Sequence, residues 1–146
     1  MEASLPSAPD KVWLVMVDIG RIATCVPGCE QVEEHEWLKR YSAVLKQKIG
    51  PFKLEVPAEI VVDEHEEPNF VRAHAVGKDK ITKTTLTVRF DVKLSPAGAT
   101  GSKLTVDADL QIAGRLASLG YSLIKKKAEE NFAQFDQRLR AQLENI

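Results

Sequence analysis

Few residues in this 146-residue sequence have the type and spacing to do chemistry. His65-Glu66-Glu67-Pro68 starts like a zinc-protease motif, but no second histidine follows where two imidazoles would share a helix face. Asp63, Glu64, His65, Glu66 and Glu67 gather enough oxygen to invite a cation, although consecutive acids on a turn are usually just solvated. Ala97-Gly98-Ala99-Thr100-Gly101 has glycines but no lysine in phosphate-loop register, and it lies between two strand-like runs. It reads as a hairpin loop. Cys25 and Cys29 bracket Val-Pro-Gly, and no matching Cys or His pair completes a zinc site. A disulfide between them would close a tiny loop, so the expectation is a buried thiol and an incidental one. Neither a catalytic residue nor a metal ligand set emerges.

Gln47 carries more information. It occupies the inward position between Leu45 and Ile49, where the alternation asks for an apolar side chain. An amide buried there without a partner costs about 1–3 kcal/mol. A backbone group, a water or a ligand carbonyl must therefore satisfy it. Tyr121 raises the same question with its hydroxyl, as an inward ligand contact or as a core tyrosine with a wet rim.

These residues have to be positioned by elements that the hydrophobic periods outline. The dominant one is a single amphipathic helix from Gly114 to Glu144, about 45 Å long. Ala117, Tyr121, Ile124, Ala128, Phe132, Phe135 and Leu139 recur at steps of three and four along it and share one stripe. Upstream, residues 2–5 suit a short strand. Ser7-Ala8-Pro9-Asp10 starts a short helix with Ser7 as the capping hydroxyl and Val12, Trp13, Met16 and Val17 on its apolar face. Asp18 caps a second helix through Ile22 and Ala23, which Pro27-Gly28 ends.

A period of two then takes over. Strands run through Tyr41–Ile49, Phe52–Val62, Val71–Ala75, Leu86–Leu94 and Leu104–Ile112. Pro57 marks its strand as an edge or a bulge. Asp63 to Asn69 reads as an acidic turn, and Gly77-Lys78-Asp79-Lys80 as another. Sequential strands with short turns make an antiparallel meander with one dry face, which the last helix alone is long enough to cover. The fold class is α+β: a curved antiparallel sheet wrapped around a long C-terminal helix, a helix-grip, with two short helices after the first strand. Residues 1–146 form one domain.

Composition limits the function. Apolar residues make up 44% and charged residues 28%, typical of a globular domain. A net charge of −1 and a pI near 6.3 provide no electrostatic footprint for nucleic acid. No apolar run is long enough to span a bilayer, and the N-terminus lacks a signal-peptide core. A cytoplasmic location is expected.

Volume points inward. Ala43, Ala73, Ala75 and Ala108 on inward strand positions, with Ala117 and Ala128 on the helix, leave little side chain between the layers. Close packing then requires either close approach or a hollow. A hollow lined by apolar atoms is the usual form of a small-molecule site. Leu45, Gln47, Ala73, Ala75, Val88, Phe90, Ala117, Tyr121, Ile124, Ala128 and Phe132 are the candidate ligand contacts. Leu116, Leu119 and Leu123 lie well off the main helix stripe. Trp13, Met16 or Val26 covers them, or they face a partner protein or a second copy of the chain. Lys125-Lys126-Lys127 follows, a solvated face or a match for anionic lipid heads.

Three motifs occur in order: Cys25-Val26-Pro27-Gly28-Cys29, Lys46-Gln47-Lys48-Ile49-Gly50-Pro51, and Ile112-Ala113-Gly114-Arg115-Leu116-Ala117-Ser118-Leu119-Gly120. Together they resemble the CoxG family, the G subunits of carbon monoxide dehydrogenase, within the START-related SRPBCC superfamily, over about Pro9 to Leu139. The resemblance implies a helix-grip fold with a hydrophobic cavity between sheet and helix. It also implies a non-enzymatic accessory protein for a molybdenum hydroxylase such as carbon monoxide dehydrogenase. Such a protein would bind a respiratory quinone, menaquinone or ubiquinone, with no covalent cofactor, and would help bring the enzyme to the inner face of the cell membrane. On that reading Gln47 donates to a quinone carbonyl. Many members extend past the helix toward the membrane, whereas this sequence stops at Ile146. It is therefore read either as shortened or as a member without the anchor. Two other functional readings stay open: a ligand-free assembly module, and a START-like cyclase or hydrolase using cavity acids. The assignable inward positions carry no Asp, Glu or His, which counts against the enzyme.

Overall fold

The computed structural model describes residues 1–79 and 82–144. The described strands are β1 (Glu2–Leu5), β2 (Cys29–Glu36), β3 (Arg40–Ile49), β4 (Phe52–Glu66), β5 (Phe70–Asp79), β6 (Thr84–Ala97) and β7 (Gly101–Ala113). They make one antiparallel sheet in the order β1-β7-β6-β5-β4-β3-β2. Helices α1 (Pro9–Met16) and α2 (Ile19–Ala23) carry the chain from β1 at one edge to β2 at the other. After β7 come a 3-10 turn (Arg115–Leu119) and helix α3 (Tyr121–Glu144). This is the expected α+β helix-grip architecture.

Several local expectations need correction. The final helix is two elements, because Gly120 at φ +84° breaks the run. α3 keeps 24 residues, about 36 Å. Strand β2 has no apolar alternation to announce it. Glu30, Glu33, Glu34 and Glu36 are exposed, and register shifts at Glu30/Glu33 and Glu34/Glu36 break its period. An acidic, bulged edge discourages pairing with another chain. The Asp63–Asn69 turn shrinks because β4 continues to Glu66, where the carboxylates of Asp63 and Glu64 meet His74 and Arg72. Gly77, Lys78 and Asp79 belong to β5 rather than to a turn, and Lys80 lies outside the described residues. Residue Ala8, not Ser7, caps α1, with no side-chain bond. Asp18 does cap α2, accepting from the Arg21 N–H at 3.3 Å.

Pro57 lies in an interior strand, opposite Val44 of β3. The β4–β5 ladder, however, begins only at Ala58–Gly77, one residue beyond it. On that side Pro57 behaves as an edge residue, so its missing N–H costs no ladder bond. The buried Asp79 carboxylate fills the adjoining gap and accepts from the Glu55 N–H at 3.1 Å.

Two apolar clusters hold the sheet's inner face. In the first, Ala3 and Leu5 of β1, Leu94 and Leu104, and Val12, Trp13, Val15 and Met16 of α1 enclose Leu139 and Leu143 of α3. In the second, Leu54 and Val56 of β4 enclose Leu116 of the 3-10 turn. Leu116 is therefore core, covered by strands and not by the two short helices. Its backbone N–H also reaches Thr84 Oγ1 at 3.4 Å.

The Cys25–Cys29 loop docks on β3. Gly28 O accepts from the Lys46 N–H at 2.8 Å, and Gln47 Nε2 donates to Pro27 O. The Gly28 backbone is at φ +78°, and a Cβ there would fall 1.9 Å from Lys46 O. Only glycine permits that approach. Both thiols are free, Cys25 buried and Cys29 half-buried, and burial pushes both up from the ordinary cysteine range.

Replacing Gly28 by Ala should lower stability by about 3 kcal/mol, measured by denaturant unfolding, because the strand carbonyl cannot move without breaking the β3 ladder. Below pH 9 a thiol reagent should label Cys29 slowly and Cys25 only as the chain opens, with both reacting at once in denaturant. Thiolate formation favours the unfolded state here. Stability should therefore be flat below the unfolded thiol pKa and fall as pH rises through the raised folded values.

Candidate functional site

Between the two clusters the inner face is apolar but incompletely covered. The register aligns Ile60, Ala75, Val88 and Leu110 in one row across β4 to β7, and Val62, Ala73, Phe90 and Ala108 in the next. Val88, Phe90 and Leu110 belong to neither cluster. Leu110 is 38% exposed, Ala108 is exposed, and Ala73, Ala75, Val88 and Phe90 are half-buried. Apolar side chains pointing at a covering helix should be dry if the layers met. Here they do not meet, and the result is a groove open to solvent rather than a sealed cavity.

α3 explains the opening. Its stripe is buried at Leu139 and Leu143, half-buried at Phe135, Phe132 and Ile124, and exposed at Ala128 and Tyr121. The Phe132 and Phe135 rings stack with centroids 6.2 Å apart where burial begins to fail. Tyr121, on the same side as Leu139, is 77% exposed. The helix is thus anchored at its C-terminal end and overhangs the sheet at its N-terminal end. Phe132 packs against the first cluster, and the exposed Tyr121 marks the open, N-terminal end of the helix, the mouth of the groove.

The structure sorts the candidates. Ala73, Ala75, Val88 and Phe90 are brought together in the two rows, Phe132 packs against the first cluster, Ile124 is half-buried and Ala128 is exposed. Leu45 packs against the second cluster at the groove's end. Ala117 is exposed on the 3-10 turn, off the continuous helical stripe assumed for it. Tyr121 is a rim residue, with Lys125 Nζ 5.9 Å from its ring centroid. Gln47 serves the scaffold. Besides its bond to Pro27, its Oε1 accepts from Asn131 Nδ2 of α3 at 3.3 Å, so the amide ties loop, strand and helix together. Of the proposed interface leucines, Leu116 is fully buried, Leu119 packs against the second cluster, and Leu123 keeps 38% exposure. Burial of Leu116 removes it from any interface.

Leu110 and Ile60 were missed as site residues although their alternation places them on the inner face. Asn131 was missed too, its only signal being an amide flanking the stripe beside Phe132. The two inner rows contain no carboxylate, imidazole or thiol, so the groove offers shape and apolar surface. Lys48, Lys126, Lys127 and Glu130 surround a separate recess of about 160 Å³ floored by Ile49, Gly50 and Leu123. Among the described residues no helix is long and apolar enough to cross a membrane.

The fold is shared with solved structures. A conserved protein from Geobacillus kaustophilus superposes with a TM-score of 0.89 at 19% identity, covering 99% of this chain and 93% of that one. A START superfamily protein from Mycobacterium smegmatis gives 0.72 at 12% identity, covering 99% and 95%. The ZhuI aromatase/cyclase from Streptomyces sp. R1128 gives 0.69 at 13% identity, covering 99% and 91%. At such identities the likeness shows the fold alone. No curated relative matches the sequence. The family of carbon monoxide dehydrogenase G subunits (CoxG) matches residues 2–144. Across nearly its whole length this chain belongs to the CoxG family, the G subunits of carbon monoxide dehydrogenase.

Proposed function

We propose that the chain binds an elongated apolar ligand in the inner-face groove, a respiratory quinone or similar isoprenoid lipid, on behalf of a molybdenum hydroxylase. The observation that carries this reading is the divided core. Leu110, Val88 and Phe90 form an accessible apolar floor under a helix that overhangs it. Leaving such surface wet forgoes about 25 cal/mol per Å², which a bound hydrocarbon would recover. The residues present suit a polyisoprenoid tail and a ring. Gln47 is committed to Pro27 and Asn131, so a head-group carbonyl would instead meet Tyr121 at the mouth. Without an acid or base in the two rows, the function is holding and handing on a ligand, not transforming it.

The mouth also bears on location. Tyr121 and Leu123 are exposed beside Lys125, Lys126 and Lys127. Apolar side chains among cations match an anionic membrane surface, where each nearby lysine contributes about 1 kcal/mol. Peripheral contact at the inner face of the cell membrane is the second part of the proposal.

Native mass spectrometry of the purified protein, with organic extraction and ultraviolet spectra, tests the ligand. A one-to-one adduct with the mass and spectrum of menaquinone or ubiquinone is expected, directly or after incubation with either quinone. A clean apo mass after incubation rejects the reading. Val88→Trp should fill the groove and reduce quinone occupancy at least about tenfold while far-ultraviolet circular dichroism stays unchanged.

A further inference from the structure

The outer face of the sheet has a feature that ligand binding does not use. A trough of about 780 Å³ crosses β2 to β6 on the side away from α3. Its floor is apolar, with Val44 opposite Pro57 in the register and Val76 beside them at 44% exposure. The outer face of a one-sided antiparallel sheet is ordinarily polar. Beneath it β5 approaches β4 closely: a Cβ on Gly77 would point to the inner side and fall 2.4 Å from Val56 Cγ1 and 3.1 Å from Pro57 O.

Charge is divided across the width of the trough. Glu33 of β2 and Glu59 of β4 lie in the same row of the register as Ser42 and Val76, along one long edge, and neither side chain has a hydrogen-bond or ion-pair partner among the described residues. Lys78 lies toward β6, likewise without an ion pair among them. Neighbouring outer-face charges are neutralised locally: Arg72 with Glu64 and Asp91, and Lys46 with Glu30. An apolar floor with unneutralised acids along one edge is complementary to an apolar segment with a basic residue on the matching side.

We infer that this trough is where the chain docks on its partner enzyme, receiving a segment whose apolar side chains cover Val44, Pro57 and Val76 and whose basic residue meets Glu33 and Glu59. The inference rests on the accessory-protein reading and names the surface that reading leaves open. Five strands at about 4.8 Å spacing give a track about 19 Å long, enough for a short segment and too little for a stable interface alone. Docking here leaves the groove mouth beside Tyr121 free, because mouth and trough lie on opposite faces of the sheet.

Biolayer interferometry against purified carbon monoxide dehydrogenase of the same organism tests the proposal. Val76→Glu and Val44→Glu, both at outer-face positions, should each raise Kd at least about tenfold while circular dichroism and quinone binding stay as in the wild type. Glu33→Gln with Glu59→Gln should lower the association rate and flatten its salt dependence. Wild-type binding that all these variants retain overturns the trough as the docking surface. Absence of wild-type binding overturns the accessory reading and this inference with it. If the variants instead abolish self-association in analytical ultracentrifugation and leave enzyme binding intact, the occupant is a second copy of the chain and the inference fails.

Discussion

Everything on the inner face depends on where the final helix is anchored. Leu139 has no exposed surface, and with Leu143 it enters a pocket made by β1, α1 and the neighbouring ends of β6 and β7. Burying one such leucine is worth about 2 kcal/mol, and two of them fix the C-terminal end of the helix. The other end is held less firmly, by Leu123 against the Gly50 turn with 38% of its surface exposed. Tyr121 points the same way and stays wet. A rigid helix pinned at one end and lifted at the other creates an apolar space without a single cavity-forming substitution.

Gln47 limits how far that space can open. Its amide joins the Pro27 carbonyl to Asn131 of α3, so the middle of the helix is tied to the sheet by polar bonds while its N-terminal turns are not. The 3-10 turn before it is held separately, through Leu116 in the second cluster and the Leu116 N–H to Thr84. The groove therefore lies between two fixed points, with Gly120 between the turn and the helix.

The two faces of the sheet differ physically. Inside, the small side chains of Ala73 and Ala75 keep the middle rows shallow, and Gly77 on the same strand lets β5 approach Val56 and Pro57 of β4. Outside, Val44, Pro57 and Val76 line an apolar trough where a one-sided sheet is ordinarily polar.

Periodicity by itself determined the architecture. The strands of alternating Tyr41–Ile49 and Leu86–Leu94 and the stripe ending at Leu139 specify which residues face inward, and a dry sheet face requires a cover. The inner alanines left close approach and a hollow both open. Strand β2 escaped because an acidic edge strand is stabilised by backbone pairing and carries no hydrophobic period. The turn at Arg115–Leu119 escaped because its leucines fit a helix as well as a turn, and only their burial against β4 chooses. The partner of Gln47 is far away in sequence, at Asn131, so sequence could demand a partner without naming it. Whether the layers touch was likewise undecidable, because it depends on the distance between α3 and the sheet. Contacts at Leu139, remote from the groove, set that distance, and only the assembled tertiary structure brings them together.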